Sequence, residues 1–136
     1  MFNSLKTNFI QATLGGTVWV TFLANLVFQK ELIPFNYTWH LLAIGGLIGI
    51  TFGIIYPYLW NYSTFSARLN IFLSTLINTL CGFAGVYLFS VEMFDFIKLF
   101  LIPIFVITLI GHIIGFYFYS NYQNKKQVKK LNQLIS

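Results

Sequence analysis

The sequence predicts an all-α membrane protein: four transmembrane helices in an antiparallel bundle, with both termini cytoplasmic. Three observations predict it. The 136 residues are 57% hydrophobic and only 8% charged, where a soluble domain carries about 25% charged residues. The mean hydropathy is +0.75. The apolar residues fall in four long, non-alternating runs, each near the roughly 20 residues a helix needs to cross a bilayer. Lipid offers backbone groups no partners, so such runs are helices rather than strands.

The first span runs from about Phe9 to Phe28. Lys6 gives a thin positive start, but Thr17, Thr21 and Asn25 interrupt the run and no A-x-A pattern follows. It therefore reads as a true span rather than a cleaved signal peptide. Pro34 marks a turn before the second span, about Thr38 to Trp60. The third runs from about Leu69 to Phe89 and the fourth from about Phe96 to Tyr119, and none carries a charge in its central part. Pro57 and Pro103 are positioned to bend the second and fourth helices. Short connections make sequential helices antiparallel neighbours. Residues 1–120 form the transmembrane domain, and a basic amphipathic tail follows over 121–136.

Charge distribution sets the orientation. The N-terminus, the second loop and the tail hold Lys6, Arg68, Lys125, Lys126, Lys129 and Lys130 and no acid. The other two loops hold Lys30, Glu31, Glu92, Asp95 and Lys98, close to neutral. Basic loops stay inside, which puts both termini in the cytoplasm. Trp39, Trp60, Tyr56, Tyr58, Tyr62, Tyr117, Tyr119 and Tyr122 sit near the expected interfaces as an aromatic belt.

Within the spans, glycine and polar side chains are the informative residues. Gly45, Gly49 and Gly53 repeat every four residues in "AIGGLIGITFG" and share one helix face. Lipid supplies no hydrophobic drive between helices, so close backbone packing has to provide the contact, and glycine permits it. Gly111 and Gly115 form a similar pair on the fourth helix. The sequence leaves open whether the ridge meets another helix of this chain or a second copy in a homodimer. Asn70, Ser74 and Asn78 form a polar stripe on the third helix, read either as interhelical hydrogen bonding or as one wall of a polar cavity. His112 lies inside the fourth span at a depth bracketed by Ser74 and Asn78. An intramembrane ionisable group is a functional candidate, although a neutral imidazole also serves as a hydrogen-bonding residue. Cys81 lies deeper, at roughly 18 Å by helical rise, and no third ligand is evident, so no metal or cofactor is expected.

The chain lacks the nucleophile-elbow, zinc-protease and phosphate-loop patterns, and it has no paired carboxylates. It does not read as an enzyme. In the tail, Lys125, Lys126, Lys129 and Lys130 alternate with Val128, Leu131, Leu134 and Ile135. The alternatives are anchoring to anionic lipid, worth about 1 kcal/mol per Lys, and docking of a cytoplasmic protein on the apolar edge. The basic patch is small and lies against the membrane, so direct nucleic-acid binding is not expected.

Four stretches carry a resemblance: "GGLIGITFG", the loop and helix start "STFSARLNIFLSTLIN", the aromatic helix end "GFYFYSNY" and the basic "KKQVKKLNQL". Together they resemble a family of uncharacterised bacterial four-helix membrane proteins often encoded beside LytTR-type DNA-binding regulators. The resemblance implies a non-enzymatic regulator of the bacterial cytoplasmic membrane that restrains a cytoplasmic transcription factor. Its contact surfaces would be residues 61–68, with Arg68, and 124–135, with the four lysines and Leu131. The alternative is a small transporter or channel with a polar path along helices 3 and 4, using Asn70, Ser74, Asn78 and His112.

Overall fold

The computed structural model describes residues 1–135, and among them there is no strand. Four helices are long and apolar enough to cross a membrane: Phe2–Val27, Phe35–Tyr62, Ala67–Phe89 and Val91–Ile135. The first is α1, Phe2–Val27. The second opens with a 3-10 turn, Phe35–Tyr37, continues as α2, Thr38–Ile48, and then widens into π-helical turns at Gly49–Ile55 and Tyr58–Tyr62. The third is α3, Ala67–Phe89, capped by the Ser66 hydroxyl accepting from the Leu69 N–H. The last stretch combines a short α4, Val91–Ile97, a 3-10 turn at Lys98–Phe100 and α5, Leu101–Ile135. Helical structure therefore extends well past both limits of the expected 96–119 span.

Large apolar side chains face outward and small or polar ones face inward. Phe22, Trp39, Phe72, Leu80, Ile102, Ile107 and Ile114 are all exposed. The buried set includes Thr51, Asn70, Ser74, Thr75, Thr79 and His112 beside Val20, Ala24, Ile44 and Leu59. Water would penalise that arrangement and lipid favours it. Two of the interior hydroxyls bond back one turn, Thr75 to the Ile71 carbonyl at 2.8 Å and Thr79 to the Thr75 carbonyl at 2.8 Å.

α1 packs on the second helix, the second helix on α3, and α3 on α4 and α5. The glycine ridge makes the first of these seams. A Cβ added at Gly45 would overlap the Thr17 hydroxyl, one at Gly49 the Thr13 hydroxyl, and one at Gly53 would lie 2.5 Å from the Phe9 Cα. The pairs 45/17, 49/13 and 53/9 run in opposite chain order along the two helices. In return, Ile48 fills the space a side chain at Gly16 would take, at 2.8 Å. The ridge is therefore occupied within the chain.

The π turns have a local cause. The ring of Pro57 would clash with the Gly53 carbonyl one α-turn earlier, and Pro57 has no N–H to bond it. Widening the turn on each side lets Tyr56 N–H reach the Thr51 carbonyl and Ser63 N–H reach the Tyr58 carbonyl. Pro103 falls in the first turn of α5, where no N–H is required. At one end of the molecule the Tyr37 hydroxyl donates to the Phe89 carbonyl at 2.5 Å and His40 Nδ1 to the Leu88 carbonyl at 2.8 Å. At the other end Ser4 meets Tyr62 at 3.2 Å.

Candidate functional site

The polar residues singled out in the sequence converge on one face of the second helix. His112 of α5 is 8% exposed. Its Nδ1 lies 2.7 Å from the Thr108 carbonyl, which can only accept, so Nδ1 carries the proton. Nε2 is then the acceptor, and the Tyr56 hydroxyl donates to it. Both ring nitrogens are therefore engaged. Tyr56→Phe tests the pair. It should cost about 1–2 kcal/mol, because Nε2 is left without a donor in an apolar setting. Reversible unfolding in mixed micelles would show it, and His112→Ala should cost less on the Tyr56→Phe background than alone.

Trp60 is the hub of the cluster. Its indole N–H donates to Ser74 Oγ at 2.9 Å, linking the second helix to α3. Its ring lies parallel to Tyr56, with centroids 5.8 Å apart and an interplanar angle of 6°. It also meets Phe116 and Tyr119 of α5 edge-on at 5.4 and 5.2 Å. Asn70 accepts from the Ser63 hydroxyl at 3.1 Å, closing the short loop onto α3. The Tyr119 hydroxyl donates to the Asn61 side chain and accepts from Gln123 Nε2 at 3.0 Å.

Asn70, Ser74 and His112 are thus brought into one region, each with a partner. Asn78 is half-buried, and its carboxamide has no hydrogen-bonding partner among the described residues. Gly111 and Gly115 are not in close contact with another helix. A Cβ at Gly111 would meet nothing within 4 Å, and one at Gly115 only the Trp60 ring at 3.8 Å. Arg68, Lys125, Lys126, Lys129, Lys130 and Leu131 are exposed.

Tyr56, Trp60 and Tyr119 were not among the expected site residues, and Asn61 and Ser63 were expected only within the 61–68 contact segment. The signal was present in the phenol and indole groups, which need partners when buried. The belt reading had placed the aromatic ones at the lipid interface instead.

Two cavities adjoin this region. One, about 470 Å³, lies between α1, the second helix and α3; Trp19, Leu23, Ile44, Thr51, Phe52, Asn78, Gly82 and Phe89 are among its lining residues. The other, a crevice of about 350 Å³, is lined by Tyr56, Trp60, Asn78, Thr108, Gly111 and His112. Beyond the cluster α5 continues without a break to Ile135, with Val128, Leu131, Leu134 and Ile135 all exposed. Comparison with protein-family models, with curated proteins and with solved structures finds no match to this chain.

Proposed function

We propose that the chain is a non-enzymatic regulatory protein of the bacterial cytoplasmic membrane. In this reading it is an antiparallel four-helix bundle with both termini inside, and its tail holds a cytoplasmic DNA-binding regulator of the LytTR type at the membrane. The observation that carries the proposal is the unbroken α5, Leu101–Ile135. At 1.5 Å per residue its 35 residues reach about 52 Å, against a hydrocarbon core of about 30 Å. About 20 Å of helix therefore stands beyond the hydrocarbon core. A helix continuing out of the membrane cannot also lie flat on its surface, so the apolar edge at Val128, Leu131 and Leu134 faces water. An exposed apolar stripe flanked by lysines is the form an amphipathic docking helix takes.

The charge pattern supports the orientation. Ser4 lies against Tyr62 and Asn61 against Tyr119, so Lys6, Arg68 and the tail lysines share one end. The near-neutral loops lie at the other, where Tyr37 and His40 meet the end of α3. The polar-path alternative draws less support, because Ser74, Asn70 and His112 spend their hydrogen bonds on Trp60, Ser63, Tyr56 and Thr108.

The test is crosslinking in native membranes followed by capture of the full chain and of a chain ending at Asn124. The full chain is expected to capture a DNA-binding protein and the shortened one to lose it at least tenfold. Replacing the four tail lysines with glutamine should weaken capture in a salt-dependent way. Equal capture by both chains, or no DNA-binding partner, would overturn the proposal.

A further inference from the structure

Asn78 poses a separate problem. It lies at the midpoint of α3, Ala67–Phe89, about 16 Å from either end by helical rise. A carboxamide at that depth without a partner is costly. Asn78 lines both cavities, the apolar one and the crevice beside His112. Thr51, also lining the apolar cavity, is 1% exposed and its hydroxyl has no partner among the described residues. Thr17, Thr21, Thr75, Thr79 and Thr108 all bond back to the carbonyl four residues earlier. Thr51, in the π segment, does not, and neither does Thr13 in α1, which faces the Gly49 seam rather than a cavity.

The same cavity is kept open by glycines that no helix requires. A Cβ at Gly82 would meet nothing within 4 Å, and one at Gly85 only the Ile44 side chain at 3.9 Å. Across the crevice Gly111 is equally open. These differ from Gly45, Gly49 and Gly53, where the seam with α1 leaves no room.

We propose that the apolar cavity binds a neutral single-chain lipid whose hydroxyl or carbonyl group bonds Asn78 and Thr51. Each part of the ligand class follows from the site. No charged side chain lines the apolar cavity, and in the crevice both nitrogens of His112 are engaged, so the head group is neutral. A carboxamide and a hydroxyl each donate and accept, which suits one oxygen of either kind. Phospholipid ester groups lie at the edge of the hydrocarbon core, about 15 Å from its centre. They do not reach Asn78, so the occupant is not an ordinary bilayer phospholipid. A cavity of about 470 Å³ is in the range that holds a small ligand.

The test uses the full chain in phosphatidylcholine vesicles with a diazirine-bearing long-chain alcohol, competed by the unlabelled alcohol. Labelling is expected to saturate, to be competed, and to map to α3 and the second helix. Thr51→Val and Asn78→Leu should each weaken the apparent affinity about five- to tenfold, the size of one lost hydrogen bond. Without the probe, both variants should unfold at the same or a higher temperature, because each removes an unpaired polar group. A merely structural role for these residues would lower it. Gly85→Leu should abolish saturable labelling by filling the cavity. Labelling that does not saturate, or that all three substitutions leave unchanged, would overturn the proposal. Native mass spectrometry of the unsubstituted chain stands independently of the variants. A retained neutral oxygen-bearing lipid supports the site, and phospholipid adducts alone refute it.

Discussion

Gly53→Ala is expected to destabilise the protein by about 3 kcal/mol, at the upper end of ordinary overpacking. Alanine is the better helix former by about 1 kcal/mol, so propensity alone predicts the opposite sign. Geometry decides the matter. The new methyl would sit 2.5 Å from the Phe9 Cα, 2.7 Å from its nitrogen and 2.8 Å from the Asn8 carbonyl carbon. All three are backbone atoms, so no rotamer change relieves them and α1 has to move away. Gly45→Ala and Gly49→Ala meet the Thr17 and Thr13 side chains first, and should cost less because a side chain yields more readily than backbone. Gly46→Ala meets nothing within 4 Å and should be neutral or slightly stabilising. Unfolding of the four variants in bicelles would give the order. A Gly53→Ala chain as stable as Gly46→Ala would show that the α1 seam is not a backbone contact.

The same glycines show how much of this fold is legible in sequence. The four apolar runs give four helices because the length and continuity of a lipid-crossing segment are written in composition. The ridge at Gly45, Gly49 and Gly53 is legible as a close-packing face. Its partner is not, because Phe9, Thr13 and Thr17 repeat every four residues like any helical face. The short α4 is hidden because "VEMFDFI" mixes charges into an apolar run and reads as loop edge. The π turns are hidden for a stronger reason. They depend on where the ring of Pro57 meets Gly53, and each widened turn shifts the rotational phase of the residues after it. A helical wheel drawn at 3.6 residues per turn therefore misplaces Tyr56 and Trp60. The interfacial reading of these aromatics rests on their depth alone, and depth does not reveal their inward hydrogen bonds to His112 and Ser74. The polar stripe on α3 needed no such correction, since α3 is regular from Ala67 to Phe89, although its spacing cannot tell which member is left without a partner.

Trp60→Ala should be the most damaging change at the polar cluster, at about 3 kcal/mol. That is the lower end for truncating a packed aromatic in a protein core, because lipid rather than water replaces the lost contacts. The loss has two separable parts. The indole N–H leaves Ser74 Oγ, 0% exposed, without its donor, worth about 1 kcal/mol. The ring leaves Tyr56, Phe116 and Tyr119 without their shared neighbour, which accounts for the rest. Trp60→Phe keeps most of the ring contacts and removes only the donor, so it should cost about 1 kcal/mol. Adding Ser74→Ala to Trp60→Phe should then cost almost nothing more, because the orphaned hydroxyl goes with it. The tail supplies a second readout. α5 is joined to the second helix through Trp60 and Tyr119, and the Tyr119 hydroxyl in turn accepts from Gln123 at the root of the tail. Losing Trp60 should therefore raise amide exchange first in residues 116–123 of α5, ahead of α1. Uniform loosening of all four helices would mean instead that Trp60 stabilises the fold as a whole rather than fixing the base of the projecting helix.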